Sequence, residues 1–434
     1  MVEVSAFKGI TYNKEKINDL EKVMSPPYDI ISEDLQNKLY KSHENNYVKL
    51  ILGKKKSTDD ENNNRYSRAK KLFKKWFEDS ILINSDKDSV FPYKIEYEIE
   101  GKKKIMNGFF VLLKIDPDYK LVKAHERTLS KPKADRLNLM RSCNANLEPI
   151  QLLYIDEKDD IRKIIDKNIK NPIIDVEGYD GFRHKLWKID NEKTISEIKD
   201  FLEDEILFIA DGHHRYQTAI NYAKEMKEKT GNKDPNASFN YRMVILANMF
   251  DEGLAILPTH RLLKNIDMKI DDIIDKIKEF FYVEEKDIKI DSNDYIKITK
   301  QIKEELKTNN EHKFSLYTKG KYFVLTLKDE AIMDKLSGDR SKTWRTLDVS
   351  ILHKIILENI IGINQNNLED HVKYTRVDEE AIKFVDDEKF DFSFLMNATK
   401  IEELKAIADA GEHMPQKSTY FLPKMLSGLV AYKM

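Results

Sequence analysis

The densest group of residues that could carry chemistry lies near the middle of the chain. It comprises five consecutive residues: Asp211, Gly212, His213, His214 and Arg215. They follow an apolar run, 206–209, which is typical of a buried strand, and they precede a stretch with helical periodicity. Glycine supplies the backbone freedom for a sharp turn between the two elements. Because a helix that begins at such a turn aims its first N–H groups at one point, the pattern predicts a phosphate-binding site.

Other interpretations of these five residues stay open. The carboxylate of Asp211 can cap the helix, orient a histidine or help hold a metal ion. A zinc site is less favoured, because the side chains of His213 and His214 diverge on a helix and no cluster with zinc-ligand spacing follows. The remaining alternative is a capped helix start with solvent-facing basic residues, but the convergence of five polar or small residues favours the phosphate site.

A second candidate group, His125, Glu126 and Arg127, lies in a predicted loop. Ser130 and Pro132 mark the start of the helix that follows, which we expect to reach about residue 141. Taken alone, the glutamate is more simply explained as a surface carboxylate paired with its arginine neighbour.

A third candidate group, Lys417, Ser418 and Thr419, lies in the dense motif 414–430 near the end of the chain. The nearby Gly411 and Pro415 are equally compatible with a plain polar turn and with a binding segment.

The elements that position these groups predict an α/β to α+β fold with mixed sheets. We expect strands at 91–100 and 104–115 joined as a hairpin, a strand at 47–52 and a helix at 266–282. The predicted domains are 1–263, with a charged insertion at 156–205, and a C-terminal α/β domain, 264–434, that carries the third group.

Composition excludes several classes of protein. The 74 basic and 76 acidic side chains leave a net charge of -2, which gives no support for nucleic-acid binding. A single cysteine, Cys143, excludes an internal disulfide and fits a reducing compartment. The first residues lack the apolar core of a signal peptide, and no apolar run approaches the ~20 residues of a membrane span. We therefore expect a soluble cytoplasmic protein with no membrane partner; the sequence carries no signal of oligomeric state.

Five motifs give the chain a resemblance to a known family. They are SPPYDIIS at 25–32, HERTLSKPKADRLNLMRSCNANLEPIQLLY at 125–154, ADGHHRYQTA at 210–219, LPTHR at 257–261 and MPQKSTYFLPKMLSGLV at 414–430. The chain resembles, over nearly its whole length, the bacterial and archaeal domain-of-unknown-function family 1015.

A more distant likeness is to the ParB/sulfiredoxin superfamily. Glu148-Pro149-Ile150, followed downstream by ADGHHR, is similar to the paired boxes of that superfamily, in which a G-x-x-R turn binds nucleotide phosphates. Gly212 and Arg215 fill that pattern. The free-serine kinase branch carries a similar turn and a glutamate before the first helix, and Glu126 occupies the corresponding place. The insertion at 156–205 between the boxes is a departure from that pattern.

The resemblance implies phosphoryl transfer between a phosphate donor and a small hydroxyl compound, with serine and phosphoserine favoured. The implied donor is ATP, ADP or pyrophosphate with Mg²⁺. Its phosphates would lie on the N–H groups after Gly212, with Arg215 on their oxygens and Asp211 helping with the metal. His213 or His214 would stabilise the charge of the transferred group.

For the acceptor, the resemblance implies that Glu126 takes the proton of the hydroxyl. The anionic groups of the substrate would be held by the remaining candidates, which are His125, Arg127, Lys417, Ser418 and Thr419. With water as acceptor the same site would hydrolyse phosphoserine, so a phosphatase is the second hypothesis. A nucleotide-binding switch module like the partition proteins is the third, and the absence of a basic DNA-binding stripe weakens it.

Overall fold

The chain folds into two units. The computed structural model describes residues 1–99, 101–126, 130–288, 294–307 and 311–434, except for the side chains of 130–132. The first unit comprises Met1–Ala124, Thr128–Ala255 and Pro423–Met434, and the second comprises His125–Arg127 and Ile256–Leu422. The chain crosses from the first unit to the second between Ala255 and Ile256. Two short segments, 125–127 and 423–434, belong to a different unit from their neighbours in sequence.

A large mixed sheet forms the centre of the first unit. Within the described residues it has nine strands, of which eight run in the order Val122–Lys123, Leu207–Asp211, Ile150–Tyr154, Tyr241–Asn248, Lys102–Lys114, Phe91–Ile99, Arg183–Leu186 and Ile174–Glu177. The ninth, Val4–Ser5, pairs with Lys102–Lys114. Ile150–Tyr154 runs parallel to Tyr241–Asn248 and antiparallel to Leu207–Asp211. The predicted mixed-sheet fold class is thus confirmed.

Most residues of the central strands are apolar because helices cover the sheet. Leu152, Ile209 and Leu246 belong to one fully buried cluster, together with apolar side chains from the helices Asp160–Asn168 and Glu192–Leu202. Both helices come from the charged insertion, which also adds the strands Ile174–Glu177 and Arg183–Leu186 to the sheet edge. The insertion is therefore an integral part of the first unit.

The other helices of the first unit follow their sequence signals closely. Ser32 caps the helix Glu33–Ser42 by accepting a hydrogen bond from the Leu35 N–H at 3.2 Å, as its side chain predicts. The remaining α-helices are Val48–Ile51, Arg65–Glu78, Ser130–Cys143 and His213–Thr230. Single-turn 3₁₀ helices lie at Tyr28–Ile30 and Ser238–Asn240, and two-stranded ladders pair Ile10–Tyr12 with Leu82–Asn84 and Ala145–Asn146 with Tyr432–Lys433.

The strand predicted at 47–52 is wrong. The segment is a short helix, Val48–Ile51, in which Val48, Leu50 and Ile51 are all buried. A short apolar run does not distinguish a buried strand from a buried helical turn. Here the side chain of Asn46 favours the helical turn, because its amide oxygen accepts a hydrogen bond from the Val48 N–H at 3.0 Å.

The second unit is built on an antiparallel sheet. Its six strands within the described residues run in the order Phe281–Asp287, Lys321–Leu327, Lys313–Thr318, Phe392–Met396, His260–Leu263 and Val372–Thr375. The helices Tyr295–Leu306 and Asp378–Asp386 pack apolar side chains against it. The remaining elements are Ala255–Ile256, Ile270–Phe280, Ala331–Leu336, Lys342–Arg345, Asp348–Ile351, the π-helix Leu352–Ile361, Leu368–His371, Ile401–Asp409 and Phe421–Leu422.

The helix predicted at 266–282 is correct in type but too long. The helix itself is Ile270–Phe280, and the chain continues directly as the strand Phe281–Asp287. None of the helices in the described parts of the chain has both the length and the apolar character needed to cross a membrane.

The single thiol offers a test of the packing of the first unit. Cys143 ends a helix, is buried, and has its pKa raised to about 12 by burial. Because the thiolate is the reactive form, we expect iodoacetamide at pH 8 to alkylate the native protein at least about a thousandfold more slowly than the urea-unfolded chain. The measurement is the mass shift against time. Similar rates in both states would contradict the packing around this helix.

Candidate functional site

The five central residues form the predicted strand, turn and helix. The strand Leu207–Asp211 ends at Gly212, and the helix His213–Thr230 begins directly after it. Gly212 has φ 98° and ψ 28°, a left-handed conformation that side chains rarely adopt. A Cβ atom at this position would also lie 3.0 Å from Arg215 Nε. The turn therefore requires glycine, for its backbone and for the approach of the arginine.

Arg215 lies beneath the turn rather than on the surface. Its side chain is almost completely buried, Nη1 donates to the carbonyl of Pro149, and Nη2 donates to Asp211 Oδ2 at 2.9 Å. Burial alone would lower the pKa of Arg215, but the charges of Asp211 and Glu148 outweigh burial and hold the pKa above its ordinary value. The arginine thus fastens the turn to the start of the neighbouring strand.

A second cation approaches the turn within the first unit. Lys424 Nζ lies 3.6 Å from Asp211 Oδ1, and only 9% of its side chain is exposed. Asp211 is thereby placed between Lys424 and Arg215. The sequence interpretation missed this lysine, although its position inside the motif 414–430 was an available signal.

Glu148 is the centre of a buried charged cluster behind the turn. It is 4% exposed, and its carboxylate accepts hydrogen bonds from Arg136 Nη1 at 3.0 Å and from the Tyr28 N–H at 3.1 Å. The Ser427 hydroxyl donates to it at 3.3 Å. The guanidinium of Arg136 stacks 3.8 Å from the centre of the Tyr28 ring. Three of the motifs that carry the family resemblance therefore meet in this cluster.

A third arginine completes the cluster. Arg242 Nη2 donates to the Glu148 carbonyl at 2.8 Å, and burial, followed by the charge of Arg215, lowers the pKa of Arg242 to about 9. The three arginines and Glu148 line a cavity of about 20 Å³, which is room for about one water molecule. A nucleotide phosphate does not fit there, so a phosphate at this site belongs on the backbone side of the turn.

The two histidines occupy the first turn of the helix. His213 is buried and His214 is half-buried, and the carbonyl of His214 accepts a hydrogen bond from the Thr218 hydroxyl at 2.7 Å. Their proposed stabilisation of a transferred phosphoryl group stays a prediction. Across the described residues no three His, Cys, Asp or Glu side chains converge as a metal site. Asp211 is therefore the acidic group that the turn itself offers to a metal.

The second and third predicted groups meet in the second unit. His125 is fully buried, its Nε2 lies 3.0 Å from the Thr419 hydroxyl, and its carbonyl accepts a hydrogen bond from the Met414 N–H at 2.8 Å. The Ser418 carbonyl accepts a hydrogen bond from the Thr399 hydroxyl at 2.9 Å, and Lys417 is exposed with φ 58°. The tail motif is therefore folded onto the loop that begins at His125.

Glu126 is half-buried in the same unit. Burial raises the pKa of Tyr374 above its ordinary value. The charge of Arg261 opposes this rise, and the charge of Glu126 adds to it. The carboxylate therefore lies within electrostatic range of this tyrosine. Arg127 lies outside the described residues, and the role assigned to it stays a prediction.

One cavity of about 970 Å³ in the first unit contains none of the predicted site residues. It is lined by charged side chains such as Lys102, Arg162 and Glu252. One of its acids, Asp251, already accepts hydrogen bonds from Asn107 Nδ2 at 2.9 Å and from the Gly253 N–H at 2.7 Å. None of the residues that line this cavity therefore belongs to the five motifs.

The Glu148 cluster generates a stability prediction. Glu148→Gln keeps the shape of the side chain but removes the negative charge that faces the buried arginines. We expect the free energy of unfolding to fall by about 3–5 kcal/mol, measured by urea denaturation. The matched control is Glu225→Gln, which removes one partner of an exposed ion pair with Arg141 and should cost less than about 1 kcal/mol. Equal losses in the two variants would show that Glu148 is not a structural centre.

Comparison with known proteins gives one family and several distant structures. Of the solved structures, a free serine kinase mutant in complex with ADP is 14% identical, with a TM-score of 0.36, over 75% of this chain and 91% of that chain. A conserved hypothetical protein from Pyrococcus furiosus is 15% identical, with a TM-score of 0.33, over 72% and 90%. SbnI with a C-terminal truncation from Staphylococcus aureus is 9% identical, with a TM-score of 0.30, over 71% and 83%.

These structures are too distant to carry an argument about the site. No curated protein matches the chain. The model of the family described as "Protein of unknown function (DUF1015)" matches residues 4–350, which confirms the family predicted from the five motifs. The chain belongs to the DUF1015 family.

Proposed function

We propose that this protein transfers a phosphoryl group between a nucleotide or pyrophosphate and a small hydroxyl compound, with serine and phosphoserine as the favoured pair. The observation that carries the proposal is the turn at Gly212, where a glycine in the left-handed conformation joins a buried strand to an 18-residue helix. A helix of this length presents partial positive charge and N–H donors at its first turn, which suits a phosphate.

The charges around the turn support phosphate as the ligand. Lys424 and Arg215 lie on either side of Asp211, so the turn combines two buried or nearly buried cations with one carboxylate. Arg215 contributes its positive charge from beneath the turn, while the backbone N–H groups contact the phosphate oxygens. Asp211 is the residue that would help hold Mg²⁺, which binds oxygen ligands and neutralises phosphate charge when present.

The acceptor step is assigned to Glu126. Its carboxylate takes the proton from the substrate hydroxyl while that oxygen forms a bond to the transferred phosphorus. The bond between phosphorus and the bridging oxygen of the donor breaks, and the donor leaves one phosphate shorter. His213 and His214, at the start of the helix, stabilise the charge on the transferred group. With water in place of the substrate hydroxyl, the same arrangement hydrolyses the donor or phosphoserine.

The role of Gly212 predicts a loss of nucleotide binding. Gly212→Ala forces a Cβ atom against Arg215 and strains the backbone, so we expect nucleotide affinity to fall at least about tenfold in a calorimetric titration with ADP.

The matched control is Gly231→Ala at the other end of the same helix. Gly231 also has a positive φ, of 65°, but an added Cβ there meets nothing within 4 Å. This variant carries the same kind of backbone strain and should keep wild-type affinity. An equal loss in both variants would mean that helix stability, not the turn, controls binding.

The role of Glu126 predicts a separation of binding from transfer. The experiment is phosphorus NMR of the full-length protein with serine or phosphoserine, Mg²⁺ and, in turn, ATP, ADP and pyrophosphate. We expect Glu126→Gln to reduce the transfer rate by about 10²–10⁴-fold while leaving ADP affinity unchanged, because only the proton acceptor is lost.

Three results of this experiment are diagnostic. Transfer to serine supports the phosphotransferase, whereas phosphate release from phosphoserine without a nucleotide supports the phosphatase. No phosphorus-containing product with any donor would rule out both activities for this substrate pair. Glu225→Gln, at an exposed position, is the control that should behave as wild type in every arm.

A further inference from the structure

Several side chains of the second unit have buried polar atoms without a hydrogen-bond partner, and we call four of them the Arg261 cluster. They are Thr259, Arg261, His353 and Tyr374. Arg261 is 1% exposed, and neither Nε nor Nη2 has a hydrogen-bond partner among the described residues. The same holds for the Thr259 hydroxyl, His353 Nε2 and the Tyr374 hydroxyl. Buried polar atoms without partners are rare in native proteins and call for a ligand or a bound water.

The fold places these groups together. The strand His260–Leu263 pairs with Val372–Thr375 so that Arg261 lies directly opposite Tyr374, with the guanidinium carbon 5.6 Å from the ring centre. The pKa of His353 is lowered well below 6.5, first by burial and then by the charge of Arg261. Tyr374 is therefore tied to the guanidinium by strand register and ring contact, and His353 by charge. Thr259 is tied to it through its carbonyl, which accepts a hydrogen bond from Arg261 Nη1.

The positive charge of Arg261 has no acidic partner among the residues that the structure describes. No carboxylate in the described parts of the chain forms an ion pair with it, and its Nη1 donates only to the Thr259 carbonyl and Met396 Sδ. Burial accordingly lowers the pKa of Arg261 to about 10. By contrast, the buried Arg136 and Arg215 of the first unit both bond to carboxylates. A buried cation without a counter-charge is destabilising, so this one points to an anion that is supplied from outside.

We propose that the Arg261 cluster binds the carboxylate of the acceptor substrate. Nε and Nη2 form the side edge of the guanidinium, which matches the two oxygens of a carboxylate. The Tyr374 hydroxyl and His353 Nε2 can supply further donors to the same group. The identification of the ligand as the acceptor rests on the proposed function, whereas the anion site itself rests on the cluster alone.

Glu126, the proposed proton acceptor, belongs to the same unit as the cluster, and its charge acts on Tyr374. If the proposed function holds, a carboxylate bound at the cluster makes the substrate a short hydroxy acid such as serine, rather than an amino alcohol or a sugar. Tyr374 is half-buried and lies beside the guanidinium.

The test compares two phosphate esters that differ only in the carboxylate. Phosphoserine and phosphoethanolamine are titrated by calorimetry into full-length wild type, Arg261→Met and a control, Arg340→Met. Arg340 lies in the same unit, 3.9 Å from Asp339 and stacked over Trp344. We expect wild type and the control to bind phosphoserine at least tenfold more tightly, and Arg261→Met to bind both esters equally.

A second readout separates a binding role from a structural one. In the absence of ligand, Arg261→Met should melt at the same temperature as wild type or higher, because a buried unpaired charge has been removed. A lower melting temperature, a retained preference for phosphoserine in Arg261→Met, or no preference in wild type would each overturn the inference.

The outcome does not depend on catalysis. If Arg261→Met loses the preference for phosphoserine while neither wild type nor any variant transfers phosphate, the proposed function fails and the anion site stands. If transfer to serine is observed while Arg261→Met keeps the wild-type KM for serine, the anion site fails and the proposed function stands.

Discussion

The candidate site of the first unit depends on the interactions of one buried carboxylate, that of Glu148. Arg136, Arg215 and Arg242 come from three separate elements, and each would be unfavourable in the interior without a nearby negative charge. Glu148 bonds to Arg136 through its side chain and to Arg242 through its carbonyl, and its charge raises the pKa of Arg215. Because Arg215 also bonds to Asp211 beside Gly212, the charge of Glu148 influences the turn.

Two almost fully buried arginines, Arg215 of the first unit and Arg261 of the second, differ in what surrounds their charge. In the first unit, the Pro149 carbonyl and the Asp211 carboxylate accept hydrogen bonds from Arg215, so this arginine acts as a scaffold. In the second, one edge of Arg261 is left without a partner among the described residues. A scaffold has its charges balanced by the protein itself, whereas a binding site leaves that balance to the ligand. The contrast explains why the two arginines, equally buried, are assigned different roles.

The path of the chain divides two of the motifs between the units. Residues His125–Arg127 belong to the second unit although their neighbours belong to the first, and the tail motif changes unit between Leu422 and Pro423. Thr419 therefore contacts His125 in one unit, while Lys424 approaches Asp211 in the other. A dense motif near the end of a chain can in this way supply different side chains to two separate groups.

Local patterns in the sequence determined much of the architecture. The apolar run before Asp211, the glycine turn and the helix after it were predictable because each depends on neighbours in sequence, and the same holds for the hairpin and the Ser32 cap. The segment 47–52 was misassigned because its helical turn is started by the amide of Asn46, a local contact that periodicity does not register.

Only the tertiary structure decided what the charged side chains do. Arg215 bonds to Asp211 and Pro149, Lys424 lies near Asp211, and Arg261 forms no ion pair with a carboxylate of the described chain, although all three are simply cations in the sequence. The physical reason is that burial and counter-charge arise from long-range packing. The residue type determines whether a side chain can carry a charge. The free energy of that charge in the folded protein depends on which distant residues lie beside it.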